Sequence, residues 1–361
     1  MIARRRKGWI GVDIGTRCVK LAQIEQDADG TRLLDARIIP RSVDSAAGDQ
    51  TEEEIGTARN EIECALSLGR KFSGSAAACS VSAEHCRFRP IRIPLGSAAE
   101  QRLAVSTELD TVENAPPSGR WFSFWHTGVP SNDSDASGSE VIAHSMSRQC
   151  SARVATDVLR AGLFSRALDS PPLALGRAVA MTAAAGEDEP VAALDWGFSA
   201  ATFCVIQGGV PIFARRLRDC GFRHVLACLK AVLGVSLEEA ECLFATEGDA
   251  AKPRLGDAGQ VVQEAVPEMA APPLNRMVTE LHRTLRFLKN GQACVVPRKM
   301  WLFGAGSLWA NACDYFASHI EPRSQTWRLG ATRIEHPEDL DPTSSLFAMA
   351  IGSSCFPWSG Q

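Results

Sequence analysis

Near the start of the chain, apolar and β-branched residues flank a single glycine turn in WIGVDIGTRCVKLAQIEQ, where Asp13 and Gly15 separate two strand-like segments. Short apolar runs bounded by turn residues predict strands, and TRLLDARIIP predicts a third. Over residues 52–68, Ile55, Ile62, Ala65 and Leu66 recur at helical spacing, and AAACSVSA then returns to strand character. From residue 87 to 161 the order becomes RFRPIRIP, a helix over 98–112, WFSFWHTG, EVIAHSMS and another helix. This β-α-β-β-α order predicts a small α+β unit inside an α/β lobe. Its loop PSNDSDASGSE is polar and Gly/Ser-rich, the composition of a mobile connection. ALDS then enters the apolar helix of PPLALGRAVAMTAAA, which returns to the first lobe.

The segment VAALDWGFSAATFCVIQGGVPIFARRLRD repeats the opening design of strand, D-x-G turn, strand, glycine turn and strand. Two copies centred on Asp13 and Asp195 imply two halves of one architecture rather than a short-period solenoid. Helices are predicted over 222–233, 237–244 and 274–289. Between the last two, GDAAKPRLGDAGQVVQEAVPEMAAPP reads as an irregular connection with at most one helical turn. KMWLFGAGSLWANACDYFASHI reads as strand, glycine turn and helix.

Composition narrows the function classes. A chain of 361 residues, 45% hydrophobic, buries a sizeable core and has the length of two or more units. Lys plus Arg number 38 against 42 for Asp plus Glu, and the net charge of -4 gives no overall pull toward nucleic acid or an anionic membrane. No apolar run reaches the roughly 20 residues of a membrane span. The basic start MIARRRKG leads into a strand-like motif rather than a signal-peptide core, so the expectation is a cytoplasmic protein. Twelve cysteines contain no C-x-x-C pair. Only Cys79, His85 and Cys86 have metal-ligand character, weighed against reduced thiols in core and surface.

A D-x-G hairpin suits phosphate, because Gly15 lets the backbone approach closely and neighbouring N–H groups act as anion donors. Thr16 adds a hydroxyl, Asp13 is suited to Mg²⁺ through water, and Lys20 places a point charge on a bridging phosphate. Alone, the string is equally a buried strand turning at a glycine. In this chain Asp195-Trp196-Gly197 supplies a second such loop, and Gly304-Ala305-Gly306 follows a late apolar strand. The order strand-DIGT-x-x-x-K, strand-D-x-G and strand-G-x-G-helix resembles the actin, sugar-kinase and chaperone ATPase superfamily. Within it, GVDIGTRCVKLAQIE, VLRAGLFSRALDSPPLALGRA, FARRLRDCGFRHVLACLKAVLGVSLEEAECLF and LHRTLRFLKN look like the PilM family of type IV pilus assembly scaffolds, over nearly the whole chain.

That resemblance implies an α/β, two-lobed actin-like (ribonuclease H-like) fold with a small α+β inserted subdomain. Residues 1–86 and 162–186 would form the first lobe, 87–161 the insert, 187–320 the second lobe, and 321–361 a segment packing back on the first lobe. It implies ATP and Mg²⁺ as cofactors. Asp13, Gly15, Thr16 and Lys20 would contact phosphate, Asp195, Gly197 and Ser199 would form the second loop, and Asp13 and Asp195 would serve the metal. Gly304 and Gly306 would approach adenosine. Glu241, Arg283 and Thr284 would lie near ribose or base, or else on a solvated helical face. It also implies a cytoplasmic adaptor at the inner-membrane face, linked to pilus motor and platform proteins, that captures the N-terminal tail of a single-pass PilN-like partner. Trp121, Phe122, Phe124 and Trp125 are candidates for that groove, with ordinary strand packing as the alternative.

Three departures point away from ATP turnover. Trp196 and Phe198 stand in a second loop that is usually rich in Ser and Thr. Phe244 stands where relatives carry Lys, and Pro171 stands two positions after Asp169, where relatives often have an acid. Slow or absent hydrolysis is the expectation, and no catalytic residue is singled out. A small-molecule kinase would need an acidic general base that the sequence does not single out. An FtsA-like division protein typically ends in an amphipathic membrane helix, unlike AMAIGSSCFPWSGQ. A type II secretion platform component is the other alternative.

Overall fold

The structure is a computed structural model, described here for residues 5–27, 30–41, 58–69, 72–113, 119–128, 138–182, 189–244, 256–290, 295–329 and 345–358. The first lobe opens with β1 (Arg6–Lys7), β2 (Ile10–Ile14), β3 (Cys18–Asp27), β4 (Gly30–Pro40), α1 (Arg59–Leu68) and β5 (Ala76–Val81). The insert follows as β6 (Arg87–Pro94), α2 (Ala98–Glu113), β7 (Arg120–His126), β8 (Gly138–Ser147) and α3 (Arg148–Arg160). The chain returns through β9 (Phe164–Leu168) and α4 (Pro171–Ala180). The second lobe comprises β10 (Val191–Trp196), β11 (Ala201–Gln207), β12 (Val210–Leu217), α5 (Arg223–Leu233), α6 (Leu237–Cys242), α7 (Gly256–Met269), α8 (Ala271–Asn290), β13 (Lys299–Phe303), α9 (Ala312–Ala317) and β14 (Arg323–Thr326). The last helix, α10, spans Ala348–Ser354.

The two larger sheets share one plan. In the first, β2 pairs antiparallel with β3 and parallel with β5, and β5 pairs parallel with β9. In the second, β10 pairs antiparallel with β11 and parallel with β13, and β13 pairs parallel with β14. Each D-x-G turn thus ends a central strand, and all five residues of β2 are buried, as a strand covered on both faces requires. One cover is α10, which approaches so closely that a Cβ at Gly11 would meet Ala350 O at 1.8 Å. The third sheet, ordered β6-β8-β7, is the insert. It packs α2 against one face through Ile93, Val105, Leu109, Val141 and Ala143.

One expectation is overturned outright. Where an irregular connection was expected, α7 forms fourteen helical residues despite Pro267. Val266 and Ala270 are fully buried in the second-lobe core, with Val262 and Met269 against it. This spacing is an amphipathic stripe, and its burial outweighs the cost of the proline. The start of the helix predicted over 52–68 and most of the PSNDSDASGSE loop lie outside the described residues. Cys79 and Cys86 are buried thiols; burial pushes Cys79 up to about 12 and raises Cys86 further. Among the described residues no three His, Cys, Asp or Glu side chains gather as a metal site. None of the described helices is long and apolar enough to cross a membrane.

Candidate functional site

Two β-hairpins meet at the cleft between the lobes. The register of the first sets Asp13 opposite Lys20, and Lys20 Nζ donates to Asp13 Oδ2 at 2.7 Å, with both side chains largely buried. The register of the second sets Asp195 opposite Thr202. One backbone design therefore gives one carboxylate a cation and the other only a hydroxyl. The consequence is electrostatic: burial first, then the charge of Asp13, pushes Asp195 up to about 7 against the opposing pull of Lys20. Burial alone would lower Lys20, but Asp13 beside it holds its ammonium above the ordinary range.

Contacts between lobes close this site. Thr16 Oγ1 donates to Ser199 Oγ at 3.1 Å, joining the two D-x-G turns directly. Arg17 donates from Nε and Nη2 to the two carboxylate oxygens of Glu241, at 2.9 and 3.0 Å. Its guanidinium also sits 5.9 Å from the Phe198 ring centre. Hydrogen bonding to Glu241 raises Arg17 above its usual pKa, although burial opposes this. Arg17 was not among the residues expected at the site. Nothing local in DIGTR marks it, because its partner lies on α6 in the other lobe.

The residues expected around adenosine have other employments. Gly304 has φ +76° and carries the chain over Asp195; a Cβ there would come within 2.6 Å of Oδ1. At Gly306 the space a Cβ would need is filled by the Trp196 indole, 2.1 Å away at Cδ2. Trp196 does not stand between the turns. It is 1% exposed and packs edge-on against Phe222, Phe316 and Trp309. Phe244 joins the same core, its ring centre 5.0 Å from that of Phe222. Glu241 is held by Arg17. Thr284 is buried, accepting from Arg215 Nη1 at 2.6 Å and donating to Glu280 O at 2.8 Å. Arg283 is exposed on α8 and pairs with Glu280 at 2.6 Å.

Two further expectations change. Asp169 is buried in the first lobe, where its Oδ2 is taken by the Arg177 guanidinium and, at 2.9 Å, by Ser353 Oγ. Pro171 opens α4 beyond it. The aromatic quartet of β7 does not form one surface, because alternate strand residues face opposite ways. Trp125 is buried and its Nε1 donates to Pro211 O at 2.8 Å, joining insert to second lobe, while Trp121 packs edge-on to His144. Phe122 and Phe124 pack with the other face, beneath α2.

The donor set at the two turns fits phosphate: the Thr16 and Ser199 hydroxyls and the Lys20 ammonium have the right chemistry and share one site. The adenosine side does not fit as arranged, since Gly306 is covered by Trp196 and Glu241 is engaged. Nor do Asp13 and Asp195 form a ready metal cradle, one being neutralised by Lys20 and the other having its carboxyl pushed up by burial and by the charge of Asp13. Thr16, Arg17, Ser199, Arg283 and Thr284 all line one groove of about 1420 Å³, which continues outward to the insert.

Paired hairpins on two similar sheets, facing across a cleft with a small α+β insert on one lobe, define the actin-like fold. No family model and no curated protein matches the sequence. Among solved structures, the chain is similar over 97% of its length, and 98% of the other chain, to one described as the PilM-PilN type IV pilus biogenesis complex, with 19% identity and a TM-score of 0.78. It is also similar to the ethanolamine utilization protein EutJ from Carboxydothermus hydrogenoformans, with 15% identity, a TM-score of 0.52 and coverage of 97% and 90%.

Proposed function

We propose that the chain is a PilM-like scaffold that holds the cytoplasmic N-terminal segment of a PilN-like inner-membrane protein, linking cytoplasmic pilus components to the membrane. The observation that carries this reading is the likeness to the PilM-PilN structure over 97% of the chain. An actin-like core alone would also suit a kinase. The departures within the cleft weigh against turnover. Asp169 is neutralised by Arg177, Pro171 offers no acid, the Thr16 and Ser199 hydroxyls bond each other, and Lys20 donates to Asp13. If ATP binds, Thr16, Ser199 and Lys20 hold its phosphates, and the bound nucleotide supplies charge that replaces the direct contact between the turns. These residues bind and orient; none is placed to activate water. In this reading the protein works at the inner face of the membrane through its partner.

The test is co-expression with candidate single-pass inner-membrane proteins, followed by cross-linking to map the bound segment. Recovery of cross-links confined to a short cytoplasmic N-terminus supports the scaffold. Stoichiometric phosphorylation of a small molecule, with no such partner, contradicts it.

A further inference from the structure

The outer part of the groove is far more basic than the chain. Its lining contains nine Arg and Lys side chains against two acids, in a protein of net charge -4. Three of the nine, Arg17, Arg215 and Arg283, are already paired with glutamates. One of the two acids, Asp219, is paired with Arg276 at 3.5 Å. The remaining cations are Arg87 and Arg89 on β6, Arg216 on β12, Arg218 in the turn after it, and Arg223 and Lys230 on α5. Among the described residues, Arg89, Arg218, Arg223 and Lys230 have no carboxylate partner.

β6 and β12 are the terminal strands of their sheets, and Arg216 on β12 donates to Glu84 O, in the turn that leads into β6, at 2.6 Å. On β6, Arg87 and Arg89 are separated by one residue, which puts them on one side of that strand, about 7 Å apart, while Arg218 stands in the turn that follows β12. Burial depresses Arg216 below its usual pKa, and the like charges of Arg218 and Arg87 add to this. Such crowding is unfavourable unless an anion offsets it. Apolar surface is interleaved: Phe88 and Pro90 lie between and beside the β6 arginines, and Phe287 is exposed at the edge of α8.

We infer that this groove binds an extended protein segment carrying acidic residues at alternate positions. An extended chain laid along this groove repeats its side chains at the spacing of Arg87 and Arg89 on β6. Spreading six cations over β6, the end of β12 with its following turn, and α5 suits a linear anion better than a single compact one. The inference does not depend on the scaffold reading, because it requires neither a PilN-like partner nor nucleotide.

The probe is a fluorescein-labelled twelve-residue peptide alternating Glu and Ser, titrated with the full chain and followed by anisotropy. Controls are the Gln-for-Glu peptide and a peptide with all its Glu residues in one block. The alternating peptide should bind more tightly than both, and more weakly as salt rises. Arg89→Glu with Arg218→Glu, both on exposed positions, should weaken it by about tenfold or more. Arg89→Glu alone should give a smaller loss, which keeps the test open if the double variant folds poorly by circular dichroism. Equal binding of the Gln peptide, or unchanged binding by both variants, overturns the inference. Tighter binding of a dT12 oligonucleotide or of inorganic triphosphate, displacing the peptide, overturns it in favour of a phosphate site.

Discussion

Replacing Gly306 by alanine tests whether this glycine serves the protein's own core or a nucleotide. Its backbone lies outside the left-handed region, so alanine meets no conformational obstacle there. The obstacle is Trp196: the new methyl would sit 2.1, 2.3 and 2.5 Å from three atoms of the indole. That ring cannot retreat, being enclosed by Phe222, Phe316 and Trp309. Overpacking a filled core costs about 1–3 kcal/mol, and an overlap this deep belongs near 3. Trp196→Leu alone leaves a cavity and should cost about 3 kcal/mol. Together they should be less damaging than the sum by at least about 1 kcal/mol, since each relieves the other. Urea denaturation followed by far-UV circular dichroism measures all four corners of the cycle. A Gly306→Ala protein as stable as the parent, with strictly additive double-mutant behaviour, would refute the packing argument and return Gly306 to the nucleotide.

Arg17→Ala removes a paired, part-buried contact between the lobes and should cost about 1 kcal/mol of closure. That shifts the open-to-closed ratio about fivefold, visible as a larger radius of gyration in small-angle scattering; an unchanged profile would remove Arg17–Glu241 from the role of latch. Asp195 has its folded pKa raised from 3.8 to about 7, so its contribution to stability is present below about pH 4 and lost as pH rises to 7. Asp195→Asn should therefore gain on the parent across that window, and a stability difference independent of pH would show that Asp195 is not held protonated. Asp169→Ala strands the Arg177 charge in the first-lobe core and should destabilise by about 3–5 kcal/mol, whereas a loss near zero would mean the pair is solvated.

What could be read from the chain was whatever is encoded locally. Each D-x-G hairpin announces itself because apolar strands and their turn are contiguous, and the repetition at Asp195 gave the two-lobed plan. Lys20 was legible too, since it is the cross-strand neighbour of Asp13. Choices of partner made over long distances were not. Gly306 and Trp196 belong to different strands' ends, and no pattern tells a glycine vacated for an indole from one vacated for adenosine. Arg17 meets Glu241 only once the lobes close. The aromatic run of β7 looked like one patch, although its alternation already assigns Trp121 and Trp125 to one face and Phe122 and Phe124 to the other. The helix over Gly256–Met269 was hidden by its glycines and Pro267, while its stripe at Val262, Val266 and Met269 was there to be counted.

The central claim is that the chain acts by holding a partner rather than by turning over nucleotide. A ligand shifts lobe closure only by its differential affinity for the two states, and here the closed state already has its own contacts. The most direct measurement is calorimetric titration of a peptide from the cytoplasmic N-terminus of the PilN-like partner, with and without Mg-ATP, while phosphate release is followed in parallel. The account predicts binding whose affinity changes less than about threefold with nucleotide, and phosphate release at the background rate. Peptide-stimulated turnover, or binding that appears only with ATP, would contradict it.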